Sequence, residues 1–403
     1  MAAGNCLLPV RRTQILKQQR NKCAVLEQLR RRWLLAFVSL SIQALIFVFS
    51  AEPVQSQSKP SWQEKWDKVL AEGKKEGRVV VFGPPGEVIR TAMVEGFRKA
   101  FPGITLEYSG GRSGEQAVKL KAERDAGLFS ADVFVGGPTT ANFQLKPIGA
   151  LDPIKPALIH PEVTDLKNWR GNRLEFSDKE GIYILVFVGQ TSPPLIYDPK
   201  QVKEEEIDEV YELLSPKWKG KIVINDPLVA GTSVPLFRHL WLTLGSDKAK
   251  DFYRKLREHA GAVDRDQRRQ IEWVAQGKYA ILIGPSLGVL AQLVERGLKV
   301  AILQNWKDIG THLGASFGTV VLMNKRPHPN AAVIFLNWLL MKEAQLAWSK
   351  AMDHVSLRLD VPTDHLPPYS VPKAGVKYWR SFSEEAQTRT PEEESILKEL
   401  FQR

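Results

Sequence analysis

Short, wholly apolar segments recur along this chain, and each leads through a loop of glycine, proline or hydroxyl residues into a helix. Apolar runs without polar alternation are typical of strands buried on both faces, as in a parallel sheet with helices on each side. The pattern therefore predicts an α/β fold. The predicted strands are residues 79–82, 104–108, 132–135, 221–224, 279–283, 298–302 and 317–323.

The alternation breaks near the middle of the chain. Residues 153–179 are rich in proline and polar side chains, and we interpret residues 182–188 and 195–197 as connecting strands. Two α/β sets joined by extended strands predict two lobes with a cleft between them. In open parallel sheets the ligand binds at the carboxyl ends of the strands, so the loops there are the candidate site.

The charge of the chain is unevenly distributed. Residues 1–50 carry eight basic residues against one acid, so +7 of the formal net charge of +11 belongs to them. The remaining chain is nearly balanced and lacks the basic footprint of a nucleic-acid-binding protein. Cys6 and Cys23 also lie in this segment. A body without cysteine excludes disulfides, thiolate zinc sites and cysteine nucleophiles.

The first 58 residues have the pattern of an export leader. Arg30-Arg31-Arg32 precedes an apolar run over residues 33–49, which ends at Ser50-Ala51. A charged segment, an apolar segment and a small-residue exit are typical of a secretory signal. We expect a periplasmic or extracellular protein. The alternative is a retained signal anchor that tethers the protein to the membrane.

Four loops are the clearest candidates for ligand binding: residues 83–85, 109–113, 137–139 and 231–233. Loops at helix starts direct N–H groups and helix dipoles at one point, which suits an anion. Arg112 would add a bidentate donor for carboxylate or phosphate. Any single loop has the alternative of being an ordinary turn. The predicted ligand contacts are Gly83, Pro84, Ser109, Gly110, Arg112, Ser113, Gly137, Thr139, Asp226, Thr232 and Ser233, faced across the cleft by Pro285 and Ser286.

One enzyme motif is present. Gly284-Pro285-Ser286-Leu287-Gly288 matches G-x-S-x-G between a predicted strand and a helix, which is the context of a hydrolase nucleophile. No His-Gly-Gly oxyanion segment lies upstream. A secreted α/β serine hydrolase that uses Ser286 is therefore the alternative to a binding protein. Its candidate partners are Asp308, His312, Asp353, His354, Asp360 and His365.

Metal and nucleotide sites have little support. The seven histidines show no H-x-x-x-H or H-x-x-E pairing, and residues 83–86 lack the Lys and Ser/Thr of a phosphate-binding P-loop. Arg265, Arg268 and Arg269 could reach a ligand, but we interpret them as the charged start of a helix. We therefore expect no catalytic residue, no metal and no cofactor.

Three groups of segments resemble one known family. They are residues 122–127 with 132–137, residues 216–222 with Asp226-Pro227, and residues 327–332 with 337–340 and 343–345. Over roughly residues 60–380 the chain resembles the extracellular solute-binding proteins of bacterial ABC importers, in the class that includes ferric-iron binders. The resemblance implies a type II periplasmic-binding fold: two doubly wound α/β lobes with a ligand cleft and extended hinge strands. It also implies delivery of the solute to an ABC permease in the inner membrane.

The chain departs from the iron-binding members of that class. Those proteins typically hold the metal with two adjacent tyrosines, and none of the eight tyrosines here is adjacent to another. We therefore expect a non-enzymatic, monomeric receptor for a small organic or inorganic anion. The expected organisation is a leader over residues 1–58, one lobe from residues 59–185 plus 310–403, and a second lobe from residues 186–309.

Overall fold

The computed structural model of the protein describes residues 61–229 and 233–402, and strands and helices alternate in it as the sequence predicts. The leader and Thr232 lie outside the described residues. No helix in the described part is long and apolar enough to cross a membrane.

The helices are α1 (Ser61–Glu76), α2 (Glu87–Ala100), α3 (Ser113–Asp125), α4 (Pro138–Thr140, continued by a π-helical turn over Ala141–Leu145), α5 (Pro161–Thr164), α6 (Ser233–Leu244), α7 (Ser246–His259), α8 (Gln267–Ala275), α9 (Leu287–Glu295), α10 (Pro329–Leu339), α11 (Lys342–Met352), α12 (Glu384–Gln387) and α13 (Pro391–Phe401). The strands are β1 (Arg78–Gly83), β2 (Thr105–Gly110), β3 (Val133–Gly136), β4 (Leu151–Asp152), β5 (Glu175–Phe176), β6 (Leu185–Val186), β7 (Gln190–Ser192), β8 (Leu195–Tyr197), β9 (Ile222–Asn225), β10 (Ala260–Asp264), β11 (Ile281–Ile283), β12 (Ala301–Leu303), β13 (Thr311–Gly314), β14 (Thr319–Met323) and β15 (Tyr378–Arg380).

The first sheet has the strand order β2-β1-β3-β14-β6-β5, and β4 also pairs with β14. β1 is parallel to β2 and β3, whereas β14 is antiparallel to β3. Val79 and Val81 lie in the core formed with α1, α2 and α10, and Phe82 lies in the core formed with α3 on the opposite face. Burial on both faces explains why these strands lack polar alternation.

The second sheet has the strand order β10-β9-β11-β8-β12. β9 is parallel to β10 and β11, and β8 is antiparallel to β11 and β12. Ile222 and Ile224 pack with α6, α7 and α13, whereas Val223 packs with α8 and α9 on the other face. Each sheet is thus covered by helices on both faces, and the predicted two-lobed α/β class is confirmed.

Three short strands form the hinge between the lobes. β7 and β13 are antiparallel, and β15 runs parallel to β13. β6 ends at Val186, which pairs with Thr319 beside the carboxyl end of β3 at Gly136. In the second sheet, Leu195 follows the hinge and pairs with Ile283 at the carboxyl end of β11. The carboxyl edges of both sheets therefore adjoin the hinge strands.

The last helix differs from the expected division of the chain. α13 places Ile396, Leu397 and Phe401 in the core of the second sheet, although we assigned residues 310–403 to the first lobe. The chain therefore crosses between the lobes again after β15. An amphipathic helix carries no local signal of which core it joins.

The apolar stretch between residues 329 and 352 forms two helices, α10 and α11. The Asn337 side chain accepts hydrogen bonds from the backbone N–H groups of Ile159 and His160, at 2.9 and 3.0 Å. The Arg358 guanidinium donates to the carbonyl of Leu340 at 3.1 Å, where the first helix ends. Residues distant in the chain therefore contact the last turn of this helix.

Candidate functional site

The loops that follow β1 and β2 are tied together at the carboxyl edge of the first sheet. The Tyr108 hydroxyl donates to the Pro84 carbonyl at 2.9 Å. The Gln116 side chain donates to the carbonyls of Gly83 and Ser109, at 3.1 and 2.8 Å. Burial raises the pKa of Tyr108, which keeps its hydroxyl protonated as a donor. A methyl group on Gly83 would lie 2.4 Å from the Tyr108 hydroxyl, so glycine is required there.

The loop that follows β3 joins the same edge. The Gly137 N–H donates to the Ser113 hydroxyl at 3.2 Å, and the Thr319 hydroxyl donates to the Gly136 carbonyl at 2.7 Å. A methyl group on Gly137 would lie 3.6 Å from the carbonyl of Ser316, in the turn before β14. We call residues 83–86, 109–113 and 136–139 the first-lobe loops.

Most of the first-lobe residues that we predicted to contact the ligand lie close together in the structure. They differ in how much of each residue is exposed to solvent. Gly83 and Pro84 are buried. Ser109, Ser113 and Gly137 are half-buried. The exposed members of the set are Gly110, Arg112 and Thr139.

Three helices start at the first-lobe loops without a side-chain cap. The N-cap residues are Gly86 for α2, Arg112 for α3 and Gly137 for α4, and no side chain of theirs accepts a hydrogen bond from the first turn. The first N–H groups of a helix have no intrahelical acceptor and carry partial positive charge. This edge therefore presents donors suited to an anion. Among the other helices, α5, α8, α12 and α13 are each capped by the side chain of their N-cap residue. α7, α10 and α11 have no such cap, but carboxylates of Glu76 and Glu162 accept from the first N–H groups of α10 and α11.

Arg112 stands at the edge of this arrangement. Its side chain is 83% exposed, and its Nη1 lies 3.7 Å from Oε1 of Glu115 one turn along α3. An exposed ion pair of this length holds the guanidinium only weakly. The side chain can therefore turn toward a ligand at the start of α3 with little loss.

The carboxyl edge of the second sheet is also built from polar contacts. The Ser233 hydroxyl donates to Asn225 Oδ1 at 3.1 Å, and the Asn225 amide donates to Gln270 at 3.2 Å. A methyl group on Gly284 would lie 2.2 Å from the Ser233 hydroxyl. Ser233 is fully buried, so in this conformation it supports the loop after β11 and does not line the cleft surface.

Asp226, Pro285 and Ser286 lie at the same edge. The Asp226 carboxylate is buried and accepts hydrogen bonds from the Leu228 N–H and the Arg265 Nε, both at 2.9 Å. Pro285 is buried, whereas Ser286 is half-buried and is the N-cap of α9, with no side-chain cap bond. α9 is thus a fourth helix with an uncapped start beside the hinge.

Sequence reasoning missed the residues that support these loops. Tyr108, Gln116, Asn225 and Gln270 are half-buried or buried polar residues that bond to loop backbone or to one another. Asn225 could have been identified from the sequence, because it is a polar residue directly after an apolar strand. Two of the others lie within helices, where nothing in the local pattern distinguishes a supporting glutamine from a solvated one.

The arrangement does not support the serine hydrolase alternative. Ser286 makes no hydrogen bond to a histidine among the described residues. Two of its candidate partners are engaged elsewhere: His354 accepts from the Trp348 indole at 3.3 Å, and Asp360 pairs with Arg358 at 2.8 Å. Within residues 61–229 and 233–402, no group of three or more His, Cys, Asp or Glu side chains is placed to hold a metal ion.

Comparisons with known proteins agree with this geometry. Residues 92–371 match the family described as bacterial extracellular solute-binding protein. An uncharacterised protein of Haemophilus influenzae is 26% identical over 279 residues, which cover 68% of this chain and 76% of that protein.

Solved structures show the same fold. A Trichodesmium FutA in complex with iron and citrate has a TM-score of 0.62 and 20% identity, covering 80% of this chain and 98% of that one. Ferric iron-binding protein A of Mannheimia haemolytica, in an open conformation, has a TM-score of 0.59 and 17% identity. The match covers 80% of this chain and 96% of that one. The periplasmic binding protein AfuA of Actinobacillus pleuropneumoniae, with fructose-6-phosphate bound, has a TM-score of 0.52 and 19% identity. The match covers 81% of this chain and 98% of that one.

Proposed function

Since this chain belongs to the bacterial extracellular solute-binding proteins, and so is a solute-binding component of an ABC importer, we propose that the solute it captures is a small anion. The anion would bind between the first-lobe loops and the facing edge of the second sheet. The protein would then deliver it to a permease in the inner membrane.

One observation carries the proposal: α2, α3 and α4 start side by side at one sheet edge with no side-chain cap. Each helix start is equivalent to roughly half a positive charge. Within the described residues no carboxylate hydrogen-bonds to these first-turn N–H groups. An oxyanion placed there would satisfy donors that the protein itself leaves open.

The ligands named for two of the neighbours support an anion. One is described with iron and citrate, and another with fructose-6-phosphate, and both organic molecules are anionic. Iron alone is a weaker fit, because no two of the eight tyrosines in this chain are adjacent. A carboxylate or phosphate ester therefore suits the loops best.

Binding would close the two lobes about the hinge. The lobes are linked by the short strands β7, β13 and β15, and such strands absorb a rotation with few changes in packing. A ligand that contacts both edges stabilises the closed state by its extra contacts there. We infer a monomeric, non-catalytic receptor that is exported by its leader, with the expected lobes except that α13 joins the second one.

A thermal-shift screen of the purified protein tests the proposal. The probes are citrate, inorganic phosphate, fructose 6-phosphate and iron(III), with fructose as the uncharged match for its phosphate. A ligand at a hundred times its Kd stabilises the folded state by about 2.7 kcal/mol. We expect an anion to raise the Tm and fructose to leave it unchanged. In Arg112→Gln the same anion should raise the Tm by less than it does in the wild type. Equal shifts with fructose and its phosphate, or a shift with iron alone, would contradict an anion receptor.

A further inference from the structure

Arg265 occupies a distinctive place at the carboxyl edge of the second sheet. It follows β10, whose last residue Asp264 is in register with Asn225 of β9. α8 starts at Gln267 with Asp266 as its N-cap, so Arg265 precedes the helix. Arg265 is therefore outside the first turn of the helix, whereas Arg268 and Arg269 lie within the helix.

The guanidinium of Arg265 is held on one side only. Its Nε donates to Asp226 Oδ2 at 2.9 Å, and that carboxylate is only 6% exposed. Its two Nη groups make no hydrogen bond to any described residue, and the side chain is 66% exposed. The buried carboxylate thus orients the guanidinium and leaves its planar fork free. A free fork matches the two oxygens of a carboxylate or phosphate.

The other two arginines of this segment have different partners and lie on the helix. Arg269 donates from Nη2 to both carboxylate oxygens of Asp264, at 2.8 and 2.6 Å. Arg268 pairs with Glu272 on the same helix at 3.9 Å. The difference is positional, because Arg268 and Arg269 project from α8 and Arg265 stands at the strand end.

The same edge adjoins the hinge. Ile283 of β11 is in register with Ile224 of β9, so Asp226 lies between Arg265 and the Pro285-Ser286 loop along the edge. The start of β8, which follows hinge strand β7, pairs at this same end of β11. Arg265 therefore lies at the edge of the second sheet that adjoins the hinge, with β9 and β11 between its own strand and β8.

We propose that Arg265, oriented by Asp226, is the contact that the second lobe makes with the anionic solute. Its free Nη groups bind a carboxylate or phosphate oxygen of the ligand while the N–H groups of the first-lobe loops bind the rest of the anion. The ligand then joins the lobes, and closure depends on this residue. The inference rests on the proposed function and adds the residue that couples binding to closure.

Calorimetric titration of the purified protein with citrate and with fructose 6-phosphate tests the assignment. Loss of a charge-assisted hydrogen bond weakens binding by about 10- to 100-fold, so Arg265→Gln should raise Kd by that factor. Arg265→Lys keeps the positive charge but lacks the planar pair of Nη donors, so its Kd should lie between those of the wild type and Arg265→Gln. Arg268→Gln is the matched control and should bind as the wild type does. Small-angle scattering should show the radius of gyration decreasing with ligand in the wild type and much less in Arg265→Gln.

The outcomes separate this inference from the proposed function. Wild-type binding of an anion with an unchanged Kd and unchanged closure in Arg265→Gln would overturn the role of Arg265 and leave the anion receptor standing. An equal loss in Arg268→Gln would show a general charge effect and would also overturn it. If the wild type binds neither probe, the proposed function and the inference fail together. Both arginines are exposed, and unchanged melting temperatures without ligand will show that the variants fold.

Discussion

The buried carboxylate of Asp132 accepts two hydrogen bonds from His328, one from its backbone N–H and one from its ring Nδ1, both at 2.8 Å. Asp132 also accepts from the N–H of Val80 at 2.7 Å. The ring Nε2 of His328 in turn accepts from Arg78 at 3.1 Å, which assigns the proton to Nδ1. One carboxylate therefore joins β1, the start of β3 and the N-terminus of α10, and it links two of the segments on which the family resemblance rests.

Replacing Asp132 should destabilise the first lobe strongly. Asp132→Ala removes the acceptor of the half-buried N–H groups of Val80 and His328, and each unsatisfied group costs about 1–3 kcal/mol. We expect the free energy of unfolding, measured in urea, to fall by about 3 kcal/mol or more. Asp125→Ala is the control, since it removes an exposed carboxylate paired with Lys121. It should change the free energy of unfolding by less than about 0.5 kcal/mol. Similar losses in both variants would contradict the role given to Asp132.

The close approach of Gly83 and Tyr108 predicts a defect in binding and in stability. A methyl group at position 83 meets both the hydroxyl and the ring of Tyr108, so the ring must move and its bond to Pro84 breaks. Gly83→Ala should cost about 1–3 kcal/mol of stability and weaken anion binding. Gly114→Ala is the control, since its methyl group would lie 3.8 Å from the nearest side-chain atom, on Gln144. If both variants unfold at the same urea concentration, the two loops are not fixed by this contact.

Three buried histidines predict that the protein loses stability in acid. Burial lowers the pKa of His239 to about 4, of His354 to about 4, and of His312 to about 3, where the charge of His239 adds to the effect of burial. The unfolded chain takes up these protons near pH 6.5, so stability is complete above that pH and is lost as the pH falls toward 4. The loss at pH 5 is about 2 kcal/mol for each histidine.

Urea unfolding between pH 7 and 5 measures this dependence. His354→Gln keeps an acceptor for the Trp348 indole and removes one titrating group. The variant should therefore lose stability less steeply than the wild type as the pH falls. A variant with the wild-type slope would show that His354 does not contribute.

The buried ion pair between Arg238 of α6 and Glu393 of α13 should hold the last helix to the second lobe. Both side chains are almost fully buried. Removing one partner of such a pair costs about 3–5 kcal/mol, because the remaining charge is left uncompensated. Glu393→Ala should therefore be far less stable than Glu394→Ala, which removes an exposed carboxylate 3.9 Å from Lys398 on the same helix. Equal urea midpoints for the two variants would contradict this account.

Much of the fold follows from local patterns in the sequence. β1 and β3 lie where apolar runs predict them, because strands buried on both faces must be apolar throughout. β2 also lies where a strand was predicted, although its Thr105 and Glu107 are exposed. α1 ends at Glu76 because Gly77 adopts a left-handed φ of +71°, which favours glycine. The loops at the strand ends could also be predicted from the sequence, because small residues such as glycine and serine are typical of tight turns and of close contacts between backbone segments.

Other features depend on pairing between distant residues. β10 is a short and only partly apolar strand that pairs with β9, and nothing in its own composition indicates a strand. α10 ends where Asn337 and Arg358 meet partners far away in the chain. The joining of α13 to the second core, the burial of Ser233 and the free fork of Arg265 are of the same kind. The sequence by itself determined strands such as β1 and β3, the turns that follow them and the family, because those depend on neighbours along the chain. Only the tertiary structure decided which polar side chains support the cleft and which face it, because hydrogen bonds across tens to hundreds of residues fix those positions.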